Sequence, residues 1–421
     1  MIDKFMKLAI INISNIFSVF DKNPSYLRGK DMLTLPVISD AYIILNNGII
    51  EDYGSMLDFD YLLLENVKSI DASHRFVLPA WCDSHSHIVF AQTREHEFVD
   101  TISGLTYEDI AKRGGGILNS VEKLRQMSEE ELLEGALKRV SEVISFGTGA
   151  LEIKSGYGLT LEDELKMLRV IRTLKETTPL TIKSTFLGAH AVPIEYKGRQ
   201  DEYVKYIIEK MLPHVADEKL ADYIDVFCDT GFFTVSQSAS IIEAAYKYGL
   251  KAKIHANELD YSGGVQLGVK YNAISVDHLE MSGEEEIQSL LNSETVPTLL
   301  PNVSFYLKIP YAPARKMIDS GLGVAVASDF NPGSSPSGNM QLAISLACIQ
   351  YRLFPEEAIN AVTINGAKAM EVHDELGTIT KGKKANLLIT KQIPSLNYIP
   401  YSFGENKIDT VILNGQIIYK N

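Results

Sequence analysis

Eight short apolar runs alternate with helical stretches through the middle of this chain, and that alternation constrains its fold more than any other feature. The runs lie at 75–82, 150–153, 181–187, 223–227, 251–254, 273–276, 296–299 and 323–327. The stretches between them read as helices. In 129–144, Leu133, Leu137, Val140 and Ile144 fall on one face at helical spacing. Ser282-Gly-Glu-Glu285 reads as a capping box opening a helix, and Ser320-Gly321 as a helix end. Strand then helix, repeated eight times, predicts an α/β fold of the (β/α)8 TIM-like barrel type. A doubly wound open sheet would use the same alternation, but no Gly-x-Gly-x-x-Gly follows the first strand.

The two ends of the chain are different. Residues 1–74 carry strand-like runs at 7–13, 40–45 and 49–54, with Asn46-Asn47-Gly48 as a turn. Strands return after about residue 374, and Asn414-Gly415 is a second hairpin turn, since both residue types tolerate positive φ. The simplest arrangement is a small composite β-sandwich domain built from 1–74 and 375–421, with the barrel domain occupying 75–374. No internal repeat or low-complexity tract is visible.

Composition narrows the partners. Lys and Arg number 40 against 54 Asp and Glu, a formal charge of −14. That balance argues against nucleic acid or an anionic membrane and leaves a small-molecule substrate. Cys82, Cys228 and Cys348 form no Cys-x-x-Cys pair and no disulfide framework, which fits a reducing cytoplasmic setting. Asn12, Ser14 and Asn15 interrupt the N-terminal apolar run, so it reads as a strand and not a signal peptide.

In a barrel of this type the chemistry stands at the C-terminal ends of the strands. The first run ends in His85-Ser86-His87, the second in Lys154-Ser-Gly-Tyr157, and the third in Gly188-Ala-His190. The later runs end in Cys228-Asp229, His255-Ala-Asn-Glu258, Asp277-His278 and Ser328-Asp329-Phe-Asn331-Pro-Gly333. Five of the nine histidines therefore fall on strand ends, where chance would scatter them. Residues two apart on an extended strand share a face, so His85 and His87 can aim at one point. His85, His87, His255 and Asp329 make a plausible set for one zinc or iron ion. Such an ion lowers the pKa of a bound water. His190, Glu258 and His278 remain to orient substrate or move protons. Gly114-Gly-Gly116, in the long connection after the first strand, reads as a loop at the barrel mouth.

The order of these residues resembles the amidohydrolase superfamily. The segments 152–159 (EIKSGYGL), 185–193 (TFLGAHAVP), 225–228 (DVFC), 328–334 (SDFNPGS) and 113–117 (RGGGI), with Leu299-Leu-Pro301, are similar to its imidazolone-ring-opening family. The resemblance runs from about residue 76 to 415. It implies hydrolysis of the ring C–N bond of 4-imidazolone-5-propanoate to N-formimidoyl-L-glutamate, in L-histidine degradation. Another cyclic-amide hydrolase or a nucleobase-type deaminase of the same superfamily is the alternative, and a non-catalytic barrel would carry no metal. The resemblance further implies Asp329, His278 and Glu258 as catalytic groups. Arg94, Tyr107, Tyr157, His190, Glu258, Asn331, Gly333 and Ser334 would contact substrate, with Asn331 and the Gly333 backbone beside the anion. Binuclear relatives carry a bridging lysine at the end of the fourth strand. Here that position reads Phe227-Cys228-Asp229, which implies one metal ion per chain. A homodimer is common in the family. Ala80 and Gln92 stand where the family has glycine, which raises the question of the local backbone there.

Overall fold

The computed structural model describes residues 7–20, 22–65, 67–105 and 115–421. Its strands, in chain order, begin with β1 (Leu8–Phe17), β2 (Val37–Asn46), β3 (Ile49–Ser55), β4 (Lys68–Asp71) and β5 (Phe76–Pro79). Next come β6 (Trp81–Asp83), β7 (Thr148–Lys154), β8 (Thr181–Ala189), β9 (Tyr223–Cys228), β10 (Lys251–Ala256), β11 (Ser275–His278), β12 (Val296–Leu299) and β13 (Ala325–Val326). The chain ends with β14 (Leu387–Thr390), β15 (Ile408–Leu413) and β16 (Gln416–Lys420).

Strands β6 to β13 form one sheet in sequential order, with each neighbouring pair parallel. Every residue of β7, β9, β11 and β12 is buried, as parallel strands covered on both faces require. A parallel bridge from Ser86 to Phe330 joins the first strand's end to the last's. His87 N–H donates to Phe330 O at 2.9 Å, and Asp329 N–H donates to His85 O at 3.0 Å. These contacts bring the sheet round into a nearly closed (β/α)8 barrel. Helices with side-chain caps cover it. Ser128 caps Glu129–Ser145 in a capping box, Thr160 caps Leu161–Thr177, and Thr234 caps Val235–Tyr246.

Three local readings need correction. The apolar run at 75–82 is two strands. Phe76–Pro79 belongs to the sheet formed by the chain ends, and only Trp81–Asp83 enters the barrel. At the junction Ala80 N–H donates to Asn386 O on one side, and Trp81 N–H to Gly147 O on the other. Trp81 is fully buried, and a Cβ on Gly147, whose φ is 105°, would lie 2.6 Å from its Nε1. The buried face of Glu129–Ser145 is Leu132, Ala136, Val140, Val143 and Ile144, so Val140 and Ile144 of the expected stripe point inward while Leu133 is only half-buried. Leu137 is 37% exposed. The third concerns Ser282, which does not cap its helix. Glu284–Leu291 begins after Gly283, whose N–H donates to Glu286 Oε2 at 2.8 Å. Neither Ala80 nor Gln92 is at positive φ, so the backbone there does not require glycine.

Both ends of the chain share the second sheet, in the order β16-β15-β14-β5-β1-β2-β3, with β4 paired to β1. It curls until its arms meet. Ile49 bridges Lys384, Ile50 N–H donates to Lys383 O, and Ala385 N–H donates to Gly48 O. Ile10, Ile13, Ile43, Val77, Leu387 and Ile412, drawn from both ends, pack in one apolar cluster. The Asn414-Gly415 turn has φ of 50° and 74°, as a two-residue hairpin requires. Among the described residues no helix is long and apolar enough to cross a membrane.

Candidate active site

The two histidines that follow β6 are held from three sides. Ser86, between them, donates from Oγ to Glu152 O at 2.6 Å and accepts Lys154 N–H at 2.9 Å. Asp83, at the end of β6, accepts from Ser328 N–H at 2.9 Å and Ser328 Oγ at 2.6 Å. That pairing sets Asp329 opposite the histidines. His85 Nε2 lies 3.3 Å from His87 Nε2. Asp329 Oδ1 lies 3.3 Å from the first and 3.4 Å from the second. Metal–nitrogen bonds of about 2.0–2.1 Å in a tetrahedral site give ligand–ligand edges of about 3.3–3.4 Å. The triangle thus has the size that one first-row divalent ion requires, and Asp329 Oδ1 has no hydrogen-bond partner in it.

The other expected ligand stands slightly apart. His255 groups with His85 and His278 within 4.8 Å, while His85, His87 and Asp329 form the other such group. The rings of His255 and His85 are 4.5 Å apart, and those of His255 and His87 are 5.5 Å apart. His85 is the member common to both groups.

Beneath these rings lies a charged network that sequence reasoning left without a role. His85 Nδ1 donates to Asp277 Oδ2 at 2.6 Å. His255 Nδ1 lies 3.0 Å from Asp225 Oδ2, off the axis of a good hydrogen bond. Lys154 Nζ donates to Asp225 Oδ2 and Glu152 Oε1, both at 2.7 Å, and lies 3.6 Å from Asp277 Oδ2. Lys253 Nζ contacts Glu152 Oε2 and donates to Ser84 O. All five side chains are fully buried. The available signal was a set of charged residues (Glu152, Lys154, Asp225, Lys253) inside otherwise apolar strand runs.

Burial, with the nearby charge of Lys154, holds His85 far below the ordinary imidazole range. Burial and His190 do the same to His87. Both rings are therefore in the neutral form that ligates metals. Burial pushes the Asp329 carboxyl well up, partly opposed by His278. His278 is pulled down by burial but held up, to about 10, by Glu258 and Glu280. Those carboxylates lie 3.6 and 3.7 Å from its Nδ1, an ion-pair spacing and not a hydrogen bond. Burial raises Glu258 to about 7 against the pull of His278. His278, Leu279 and Asp329 have φ of 86°, 70° and 49°. Strained backbone of this kind concentrates at functional sites.

The expected substrate groups gather on the same side. His190 stacks on His87 at 5.1 Å, and its Nδ1 donates to Gly156 O at 3.0 Å, which leaves Nε2 as an acceptor. Tyr157 is buried with its ring 5.4 Å from His190 and 5.9 Å from His87. Glu164, another residue the sequence reading missed, holds this loop by accepting the N–H groups of Gly156, Gly158 and Leu159. Arg94 presses on Gly333, where an added Cβ would lie 1.0 Å from its Nη2. Its Nη1 is 3.6 Å from Glu97 Oε2, and its Nε is buried without a partner. Tyr157 feels the charges of both Arg94 and Asp329.

Asn331 and Gly333 are tied into the loop that carries Asp329. Asn331 Nδ2 donates to Asp329 Oδ2 at 2.9 Å and to Ser334 Oγ at 2.9 Å. Its Oδ1 accepts Gly333 N–H and Ser334 N–H, each at 2.8 Å. The Gly333 N–H is thus engaged inside the loop. Asn331 orients Asp329, and Gly333 makes room for Arg94. Tyr107 and Gly114 lie outside the described residues. Gly116 leads into the helix Ile117–Gln126, and its N–H donates to Glu97 Oε1 at 3.0 Å.

Comparison with known proteins shows the family and the fold. The amidohydrolase family model matches residues 76–418. A Flavobacterium johnsoniae protein named imidazolonepropionase is 54% identical over 98% of this chain and all of its own length. One of the same name from Christiangramia forsetii is 52% identical over the same shares. Among solved structures, E. coli guanine deaminase superposes with a TM-score of 0.75 over 99% of this chain and 100% of its own. At 13% identity that likeness speaks for the fold alone.

Proposed function

The chain belongs to the amidohydrolase family, and from that premise we propose that it works as an imidazolonepropionase. It hydrolyses the ring C–N bond of 4-imidazolone-5-propanoate to N-formimidoyl-L-glutamate in L-histidine degradation. The observation that carries this reading is the full-length identity to relatives of that name. The geometry supports it with a donor triangle and a guanidinium at one mouth. The barrel, entered at Trp81 and running to about residue 374, holds the site, and the composite β domain built from residues up to Pro79 and from 375–421 supports it from outside. The protein acts in the cytoplasm as a homodimer.

In this reading His85, His87, His255 and Asp329 hold one zinc or iron ion. Such an ion lowers the pKa of a coordinated water towards neutrality and polarises a carbonyl oxygen. Asp329, kept in place by Asn331, takes the proton of the attacking water. His278, flanked by Glu258 and Glu280, donates to the oxygen that gains charge as the ring carbonyl becomes tetrahedral. The carbonyl carbon then parts from the ring nitrogen, which leaves with a proton, and the carbonyl becomes a carboxylate. Glu258 and the free Nε2 of His190 meet the polar edge of the ring. Tyr157, Tyr107, Ser334 and Arg94 bound the substrate, with Arg94 set against its propanoate.

A metal assay on purified protein, run beside an optical assay of ring opening, tests this. Metal-dependent loss of the imidazolone chromophore without ammonia release is expected. Ammonia release from a nucleobase, with the imidazolone left intact, would replace this reading with the deaminase one.

A further inference from the structure

Among the described residues, Lys154 is the one side chain that touches the carboxylates behind both His85 and His255. It comes from β7, while Asp225 and Asp277 come from β9 and β11. Alternate strands supplying one interior layer is how barrels of this type fill their centre. The layer sits directly beneath the two rings. Asp277 receives the Nδ1 hydrogen of His85, and Asp225 stands 3.0 Å from Nδ1 of His255. Without a cation between them the two buried carboxylates would repel and turn apart. Lys154 is fixed in its turn by Glu152, which Thr185 Oγ1 and Lys253 also hold.

We propose that Lys154 is a positioning residue for the metal centre, aiming His85 and His255 by pinning the Asp277 and Asp225 carboxylates that orient them. The inference rests on the reading of those histidines as metal ligands. Partners of this kind behind ligating histidines change metal affinity by about 10–100-fold when lost. The sign of the effect is diagnostic. A lysine acting only through its charge repels a nearby cation, so its removal would tighten metal binding. A lysine that aims the ligands does the reverse.

The experiment measures Zn(II) affinity of the full chain, parent and Lys154→Met, by competition with a chromophoric chelator. It adds the visible spectrum of each Co(II)-loaded protein and the thermal unfolding of each metal-free one. Positioning predicts that Lys154→Met binds zinc about 10–100-fold more weakly, has an altered Co(II) spectrum, and still unfolds cooperatively without metal. Equal or tighter zinc binding with an unchanged spectrum overturns the proposal. Should Lys154→Met fail to fold, Lys154→Gln, which keeps a polar contact but no charge, is measured in its place with the same expectation. If neither folds, Lys154 is a structural residue and the proposal falls. A parent protein that binds neither zinc nor cobalt instead removes the metal site itself, and the positioning role with it.

Discussion

Gly333→Ala tests the anion end of the site through a single methyl group. The backbone at Gly333 is not at positive φ, so alanine carries no conformational strain there. The cost is a collision. The new Cβ would stand 1.0 Å from Arg94 Nη2, 2.0 Å from its Cζ and 2.6 Å from its Nε. All three atoms belong to one flexible side chain, so the guanidinium must leave while the fold keeps its shape. A hydrogen bond to a charged group is worth about 1.5–3 kcal/mol. If Arg94 holds the propanoate, its displacement lowers kcat/KM by about 10- to 150-fold. The change in unfolding free energy stays within about 1 kcal/mol, as for a substitution that touches only a side-chain end. Steady-state ring-opening kinetics with urea unfolding on the same preparations reads both. The decisive comparison is a double-mutant cycle with Arg94→Ala. Once the guanidinium is gone, the methyl has nothing to strike, so Gly333→Ala should add almost nothing in that background. Full additivity, or a Gly333→Ala enzyme as active as the parent, would refute the claim that this glycine exists to seat Arg94.

Two further outcomes follow from other parts of the molecule. His255→Ala should lose most of the bound metal by elemental analysis while the chain remains folded, and full retention would take His255 out of the ligand set. Lys383 Nζ donates to His373 O and Leu376 O, both at 2.7 Å, and burial pulls this amine down to about 8. The unfolded chain then binds more protons than the folded one between about pH 8 and pH 10.5, so stability rises with pH across that window. Measured by urea unfolding, the parent should gain on Lys383→Met by about 1–3 kcal/mol from the bottom of the window to the top. A difference that stays flat would reject the lowered amine.

The strand ends were the legible part of this site, because a barrel puts its chemistry there and side-chain alternation aims residues two apart at one point. His85, His87, His190, His278 and Asp329 follow from that rule alone. The roles of Asp225, Asp277, Lys154 and Lys253 do not, because each depends on which buried charge lies across the barrel, a matter of tertiary contact and not of spacing. That Asn331 follows Asp329 was legible, but not that its amide also ties Asp329 to the turn behind it, a local side-chain-to-backbone contact. The division of the 75–82 run between two sheets left little mark, since both halves are apolar and both are buried. The helical stripe holds at Val140 and Ile144 but differs in its first turn, because Leu132 and Leu133 are adjacent and only packing decides which of the two turns fully inward.

The junction at Ala80 has a consequence for how the molecule is made. Strand β5 leads through Ala80 and β6 to the two histidines proposed as metal ligands, and it lies between β1 on one side and β14 on the other. During synthesis the N-terminal half emerges first and begins to fold first. Until Leu387–Thr390 has emerged from the ribosome, β5 keeps one unpaired edge, and Ala80 N–H lacks the Asn386 carbonyl that anchors the turn into the barrel. The nascent chain therefore carries all four of its proposed ligands well before it can hold the first two still. A ribosome stalled short of residue 387 should display a chain that has the metal-site residues but not the site.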